Sequence, residues 1–222
     1  MCHSEDCWYK EVCANFGEDC DKTCGRFAEM KFLMEHSNIP KNKQRPILLY
    51  PSDCDYGAFE RLSVIKDNIA EFVENGKNLY ITSEIVGNGK TSWALKLLMK
   101  YFDEVWDGNG FRVRGLIVHV PTFLAKCKDF KAEDEEFEEL KRNVLEVDLV
   151  VWDDIAGVSM SNYDYTQLLM CLDAREFKGL SNIFTGNISQ RESLLDALGA
   201  KITSRVWNSN TDVVQFFGGE RR

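Results

Sequence analysis

The run Asn78-Leu79-Tyr80-Ile81-Thr82-Ser83-Glu84-Ile85-Val86-Gly87-Asn88-Gly89-Lys90-Thr91-Ser92 decides how this chain is read. A short apolar segment, Asn78–Ser83, enters a glycine-containing bend, and a helical pattern over Lys90–Phe102 leaves it. Strand, bend and helix in that order are the setting of a phosphate-binding loop. Glycines let backbone N–H groups turn inward around an anion, and the helix N-terminus adds partial positive charge. Gly87, Asn88, Gly89, Lys90, Thr91 and Ser92 are therefore the candidate nucleotide ligands, with ATP the expected cofactor. Lys90 is placed to reach the outer phosphates, and Thr91 to offer its hydroxyl to Mg²⁺. Glu84 departs from the pattern, because such a loop opens with glycine. Its presence strains the bend without removing a phosphate donor, so its carboxylate is expected to face solvent.

A second motif, Leu149-Val150-Val151-Trp152-Asp153-Asp154, follows about 60 residues after the loop. Four apolar residues read as a central strand with two carboxylates at its C-terminal end, where ligands bind in an open α/β sheet. Asp153 is expected to hold Mg²⁺, largely through water. Asp154 is expected to polarise the attacking water.

The rest of the chain alternates. Helical patterns cover Arg26–His36, Arg61–Glu74 (ending at Asn75-Gly76), Glu133–Val144, Tyr163–Phe177 and Arg191–Leu198. Strand patterns cover Gly115–Val120, Asp148–Trp152, Asn182–Thr185 and Thr211–Phe217. Strands alternating with helices predict an α/β fold, a parallel sheet between helices. Capping of the Arg191 helix is expected from Ser189. The acidic run Glu133–Glu136 reads as a first helical turn, where negative charge suits the dipole.

Composition narrows the function. The net charge is −9, which argues against coating duplex DNA through bulk positive charge. No stretch approaches the ~20 apolar residues of a membrane span. The N-terminus lacks a basic segment followed by an apolar run, so a cytoplasmic protein is expected. Five of the eight cysteines lie in the first 24 residues. Cys7, Cys13, Cys20 and Cys24 could together supply four thiolates, for zinc or, less favoured, an iron–sulfur cluster. Trp8, Tyr9 and Phe16 between them are either a docking contact or the mini-core of such a module. Cys54, Cys127 and Cys171 read as small buried side chains. The expected organisation is a cysteine-rich metal-binding and docking module over 1–36, a linker over 37–46 and an ATPase domain over 47–222. Lys126, Lys128 and Lys131, with Phe123 and Phe130, are either a single-stranded DNA contact or a solvated helix face.

From about residue 45 onward the sequence resembles the DnaC-type helicase loaders and their IstB-like transposition relatives, within the AAA+ P-loop ATPases. The resemblance rests on five ordered blocks: Gly87–Thr91, Trp152–Gly157, Asn182–Asn187, Leu198–Arg205 and Phe216–Arg222. Its flavour is that of loaders from phages or mobile elements of Gram-positive bacteria. It implies that Asn187 orients water near the γ-phosphate and that Arg205 is an arginine finger acting on a neighbouring subunit's nucleotide, in an ATP-dependent homo-oligomer. Arg175 falls on a second arginine of the family pattern and is an interface candidate. Most such ATPases place glutamate where Asp154 stands, so slow hydrolysis is expected. No C-terminal helical lid is expected. The implied partners are a DnaB-type replicative helicase and single-stranded DNA, with no membrane. The alternatives are a transposition regulator of the IstB-like kind and a nucleotide-switched adaptor with little turnover.

Overall fold

The computed structural model describes residues 7–10, 13–14, 16, 20, 23–44, 47–106, 111–129 and 134–219. Five strands form one sheet: β1 (Asn78–Thr82), β2 (Gly115–His119), β3 (Leu149–Asp153), β4 (Ser181–Gly186) and β5 (Thr211–Gln215). Their order is β2-β3-β4-β1-β5, and every pairing is parallel. Successive side chains of a strand point to opposite faces. Leu79, Ile81, Leu149, Val151 and Ile183 accordingly join one core, while Tyr80, Val150, Trp152 and Phe184 join the other.

Four helices cover the first face: α1 (Gly25–His36), α2 (Tyr56–Asp67), α3 (Ile69–Glu74) and α4 (Lys90–Glu104). Buried Trp93, Ala94, Leu97, Leu98 and Tyr101 recur at helical spacing and turn one side of α4 into the core. Four more cover the second face: α5 (Val120–Cys127), α6 (Glu135–Val144), α7 (Asn162–Phe177) and α8 (Arg191–Val206). Both faces of a parallel sheet are thus buried, and the C-terminal strand ends stay open between the layers. No described helix follows β5, and none is long and apolar enough to cross a membrane.

Several local expectations are corrected. The single helix expected over 61–74 is two helices, broken at Asn68, whose backbone leaves the helical region. The segment after β2 is a helix, α5, whose Phe123 is buried against Phe137 and Trp152. Lys126 and Lys128 are paired with Asp134 (2.8 Å) and Asp164 (2.7 Å). Phe123 is therefore core and the two lysines are neutralised, which does not suit a basic-aromatic DNA platform. Phe130 and Lys131 lie outside the described residues. Helix α6 starts two residues later than read, with Asp134 as its cap, accepting from the Phe137 N–H at 2.9 Å. Helix α8 continues through a kink at Gly199 to Val206, and its N-cap is Gln190, with no side-chain capping bond. Of the three scattered cysteines Cys127 is buried, Cys171 partly buried and Cys54 exposed.

The N-terminal segment packs on the sheet domain. Met30, Leu33 and Met34 of α1 share the first core with α4. Ser37 O accepts from the Ile117 N–H at 2.9 Å and Asn38 Nδ2 donates to Ile117 O at 2.8 Å, covering the outer edge of β2. Tyr9 is buried in the same core beneath the Arg26 guanidinium, 3.9 Å from its ring centre, and Trp8 lies against Phe27. The described placement of the cysteines gives the metal reading no support. Cys13 is exposed, Cys7, Cys20 and Cys24 are partly buried, and among the described residues no three Cys, His, Asp or Glu side chains gather as metal ligands. A tetrahedral zinc or iron–sulfur site needs its thiolates converged on one point, and the described residues do not show that convergence.

Candidate functional site

The loop between β1 and α4 folds around its own backbone. Gly87 and Gly89 take φ values of 78° and 100°, left-handed conformations that suit glycine. Asn88 is buried, and its amide donates to Ser83 Oγ, which also receives the Ile85 N–H at 3.1 Å. Ser83 thereby ties the loop's two ends. Lys90, the first residue of α4, curls over the loop and donates to Ile85 O (3.1 Å) and Asn88 Oδ1 (3.3 Å). Burial lowers its pKa below that of an ordinary lysine, while Asp154 and then Asp153 pull it back up. Glu84 is exposed and does not line the cleft.

Across the cleft, β3 delivers the two aspartates. Asp153 Oδ1 accepts two hydroxyl bonds of 2.7 Å, from Thr91 and from Thr185. Asp154 has φ 60°, left-handed for a residue with a side chain, a conformation of the kind that clusters at functional sites. Its N–H donates to Thr185 Oγ1 at 3.0 Å, and its carbonyl accepts from the Gly157 N–H at 3.0 Å. Its carboxylate lies so close to Gly157 that a Cβ there would sit 2.0 Å from Oδ2.

The loop, Asp153, Asp154 and Asn187 line one cleft of about 380 Å³. Gly87, Asn88, Gly89, Lys90, Thr91 and Ser92 are all on it. Arg205 is not. It lines a larger cavity of about 600 Å³ that holds Asn78 and Asn182, from the opposite ends of β1 and β4. There it pairs with Asp173 (2.9 Å) and Glu176 (2.6 Å) and is partly exposed. Arg175 corrects the interface expectation, because its side chain is completely buried.

Sequence reasoning missed six residues of the cleft: Lys43, Leu49, Val86, His119, Thr185 and Gly186. His119 ends β2 in register with Asp153. Thr185 had a readable signal, a hydroxyl closing an apolar strand just before Gly186. Lys43 and Leu49 had none, since they come from the segment read as a linker and the residues after it.

No protein-family model matches the chain, and no curated protein matches its sequence at a significant level. Solved structures do resemble it. The DnaC helicase loader is 19% identical with a TM-score of 0.63, over 80% of this chain and 100% of that one. A primosome component from Streptococcus pyogenes serotype M3, itself assigned provisionally, is 24% identical with a TM-score of 0.62, over 86% and 98%. AMPPCP-bound DnaA from Aquifex aeolicus is 14% identical with a TM-score of 0.55, over 75% of this chain and 48% of that one. At such identities the likeness establishes the fold alone, an α/β domain with a five-stranded parallel sheet.

Proposed function

We propose that this chain is an ATPase that loads a DnaB-type replicative helicase onto single-stranded DNA when replication begins. The observation that carries the reading is one cleft in which a glycine-lysine loop faces paired aspartates, on a fold shared with helicase loaders. In that cleft the loop N–H groups and Lys90 bind the phosphates. Thr91 and Asp153 bring hard oxygen donors together, the donor type that Mg²⁺ takes, so they fit its ligand set. When bound, Mg²⁺ supplies charge neutralisation to the phosphates. Asp154 takes up the role of orienting and polarising water, and Asn187, on the same cleft wall, holds that water near the terminal phosphate. Arg205, remote from its own cleft, serves a neighbouring copy's nucleotide in an ATP-dependent homo-oligomer. Its pairing with Asp173 and Glu176 keeps the guanidinium ordered at the surface until then.

Gly157 offers a direct probe of Asp154. Alanine at 157 puts a methyl where the Asp154 carboxylate lies. Gly157→Ala is expected to lower ATP turnover at least about tenfold while changing nucleotide affinity less than about threefold. Steady-state hydrolysis and titration with a fluorescent ATP analogue measure the two separately. Equal turnover in the two proteins would remove Asp154 from the reaction.

The helicase assignment is tested by capture of the purified host helicase on the immobilised chain with ATP present. Retention is expected, and its absence removes the loader reading. A second reading, a nucleotide-switched adaptor, draws support from Asp154, whose short side chain packs back against Gly157. Hydrolysis measured with and without single-stranded DNA separates the two, because only the loader's turnover responds to the strand.

A further inference from the structure

Strands β3 and β4 pair in parallel from Leu149↔Ser181 to Trp152↔Phe184. Beyond Trp152 the chain bears its two carboxylates, and Asp154 turns left-handed. The regular ladder cannot follow a residue in that conformation, because its N–H no longer points along the strand-pairing direction. Thr185 takes over the pairing. Its Oγ1 accepts from the Asp154 N–H at 3.0 Å and donates its single proton to Asp153 Oδ1 at 2.7 Å. Its carbonyl accepts from the Ile155 N–H at 3.0 Å. Three consecutive residues, 153 to 155, are therefore held by one residue that is 2% exposed. A hydroxyl has one donor and two acceptor sites, and both kinds are in use on the two aspartates.

We propose that Thr185 is a positioning residue for the Asp153–Asp154 pair, its hydroxyl fixing one carboxylate and the strained backbone of the other. The inference rests on the ATPase reading of this cleft for its catalytic consequence, but its structural content stands apart from that reading. Removing the hydroxyl leaves the partly buried Asp154 N–H without its acceptor, and the left-handed turn loses the bond that compensates its strain. Asp153 keeps only Thr91. Both carboxylates then sample orientations that do not serve a nucleotide.

Two substitutions separate this from a packing role. Thr185→Val keeps the shape and β-branching and loses the hydroxyl, whereas Thr185→Ser keeps the hydroxyl and loses a methyl. If Thr185 only fills space, serine does the greater harm. If it positions the aspartates, valine does. Thr185→Val is expected to lower kcat for ATP at least about tenfold with nucleotide affinity changed less than about threefold, and Thr185→Ser to stay within about threefold of the parent in both. Amide hydrogen exchange read by NMR on the full chain gives a readout independent of turnover. The Asp154 amide is expected to exchange at least about tenfold faster in Thr185→Val than in the parent or Thr185→Ser. Thr185→Ala replaces the valine variant if crowding prevents that variant from folding. A parent chain that neither binds nor hydrolyses ATP would remove the ATPase reading, and the exchange ranking would then decide the inference alone. Unchanged Asp154 exchange in the hydroxyl-less variant, or serine and valine variants equally slow, would overturn the role given to Thr185.

Discussion

Arg175→Ala is expected to remove at least about 3 kcal/mol of folding stability, a large share of what a single domain possesses. The guanidinium is fully buried on α7. It donates to Val144 O (2.7 Å) and Val147 O (2.9 Å) at and just beyond the end of α6, and to Ser181 O (2.6 Å) at the start of β4. Its Nε donates to Asn182 Oδ1 at 2.7 Å, the same oxygen that receives Trp152 Nε1 at 3.0 Å. The last carbonyls of a helix lack partners within it, and here a cation supplies them, with the favourable sign at the dipole's negative end. Burial lowers the Arg175 pKa to about 9, so the group remains charged at neutral pH. Truncation leaves both a void and several buried acceptors unpaired. Arg175→Lys is expected to rescue little, because a single ammonium cannot reach acceptors arranged around a planar fork. Urea unfolding followed by circular dichroism measures the loss. An alanine variant within about 1 kcal/mol of the parent would mean the carbonyls find other partners.

What was legible in the sequence was whatever lies close together along the chain. The loop Gly87–Ser92, the strand ending in Asp153-Asp154 and the alternation of strands with helices each declare themselves within a dozen residues, and the parallel sheet follows from their order. Arg175 and Thr185 do not declare themselves. The Arg175 carbonyl partners Val144 and Val147 are 31 and 28 positions away, and Thr185 meets Asp153 across a gap of 32. Their roles exist only once β3 and β4 are in register. Arg175 read as an interface residue because it falls on an arginine of the family pattern, and a pattern match does not say whether the side chain is buried. The break at Asn68 was hidden for another reason: Leu62, Ile65, Ile69, Phe72 and Val73 keep helical spacing across it, so periodicity alone joins two helices. For the cysteine cluster, spacing states how many ligands are available and not whether the chain brings them together. Tyr9 and Met30 from that region are instead drawn into the sheet domain's own core.

The second large effect concerns the ammonium at the cleft's mouth. Lys90→Ala is expected to weaken ATP binding at least about a hundredfold, or about 2.7 kcal/mol. Three features make this cation hard to replace. It heads α4, so its charge adds to the partial positive charge of the helix N-terminus. It is partly desolvated, which lowers its pKa and means that little hydration must be stripped when a phosphate arrives. It also stands where Asp154 and Asp153 act on it, and their negative charge would oppose a triphosphate if the ammonium were absent. A charge-assisted hydrogen bond contributes about 1.5–3 kcal/mol; losing it while two carboxylates remain adds a repulsive contribution of the same sign. The loop should keep its shape in the variant, because Asn88 remains bound to Ser83 and the Ile85 N–H remains on the Ser83 hydroxyl. Reduced affinity would therefore report the missing charge and not a collapsed loop. Glu84 does not confuse the measurement, since it is exposed and off the cleft wall. Titration with a fluorescent ATP analogue, at fixed Mg²⁺ and salt, reads the change. Parent-like affinity in Lys90→Ala would place the triphosphate somewhere other than this loop, and the catalytic roles assigned to Asp153 and Asp154 would fall with it, leaving the bonds of Thr185 to be judged by amide exchange alone.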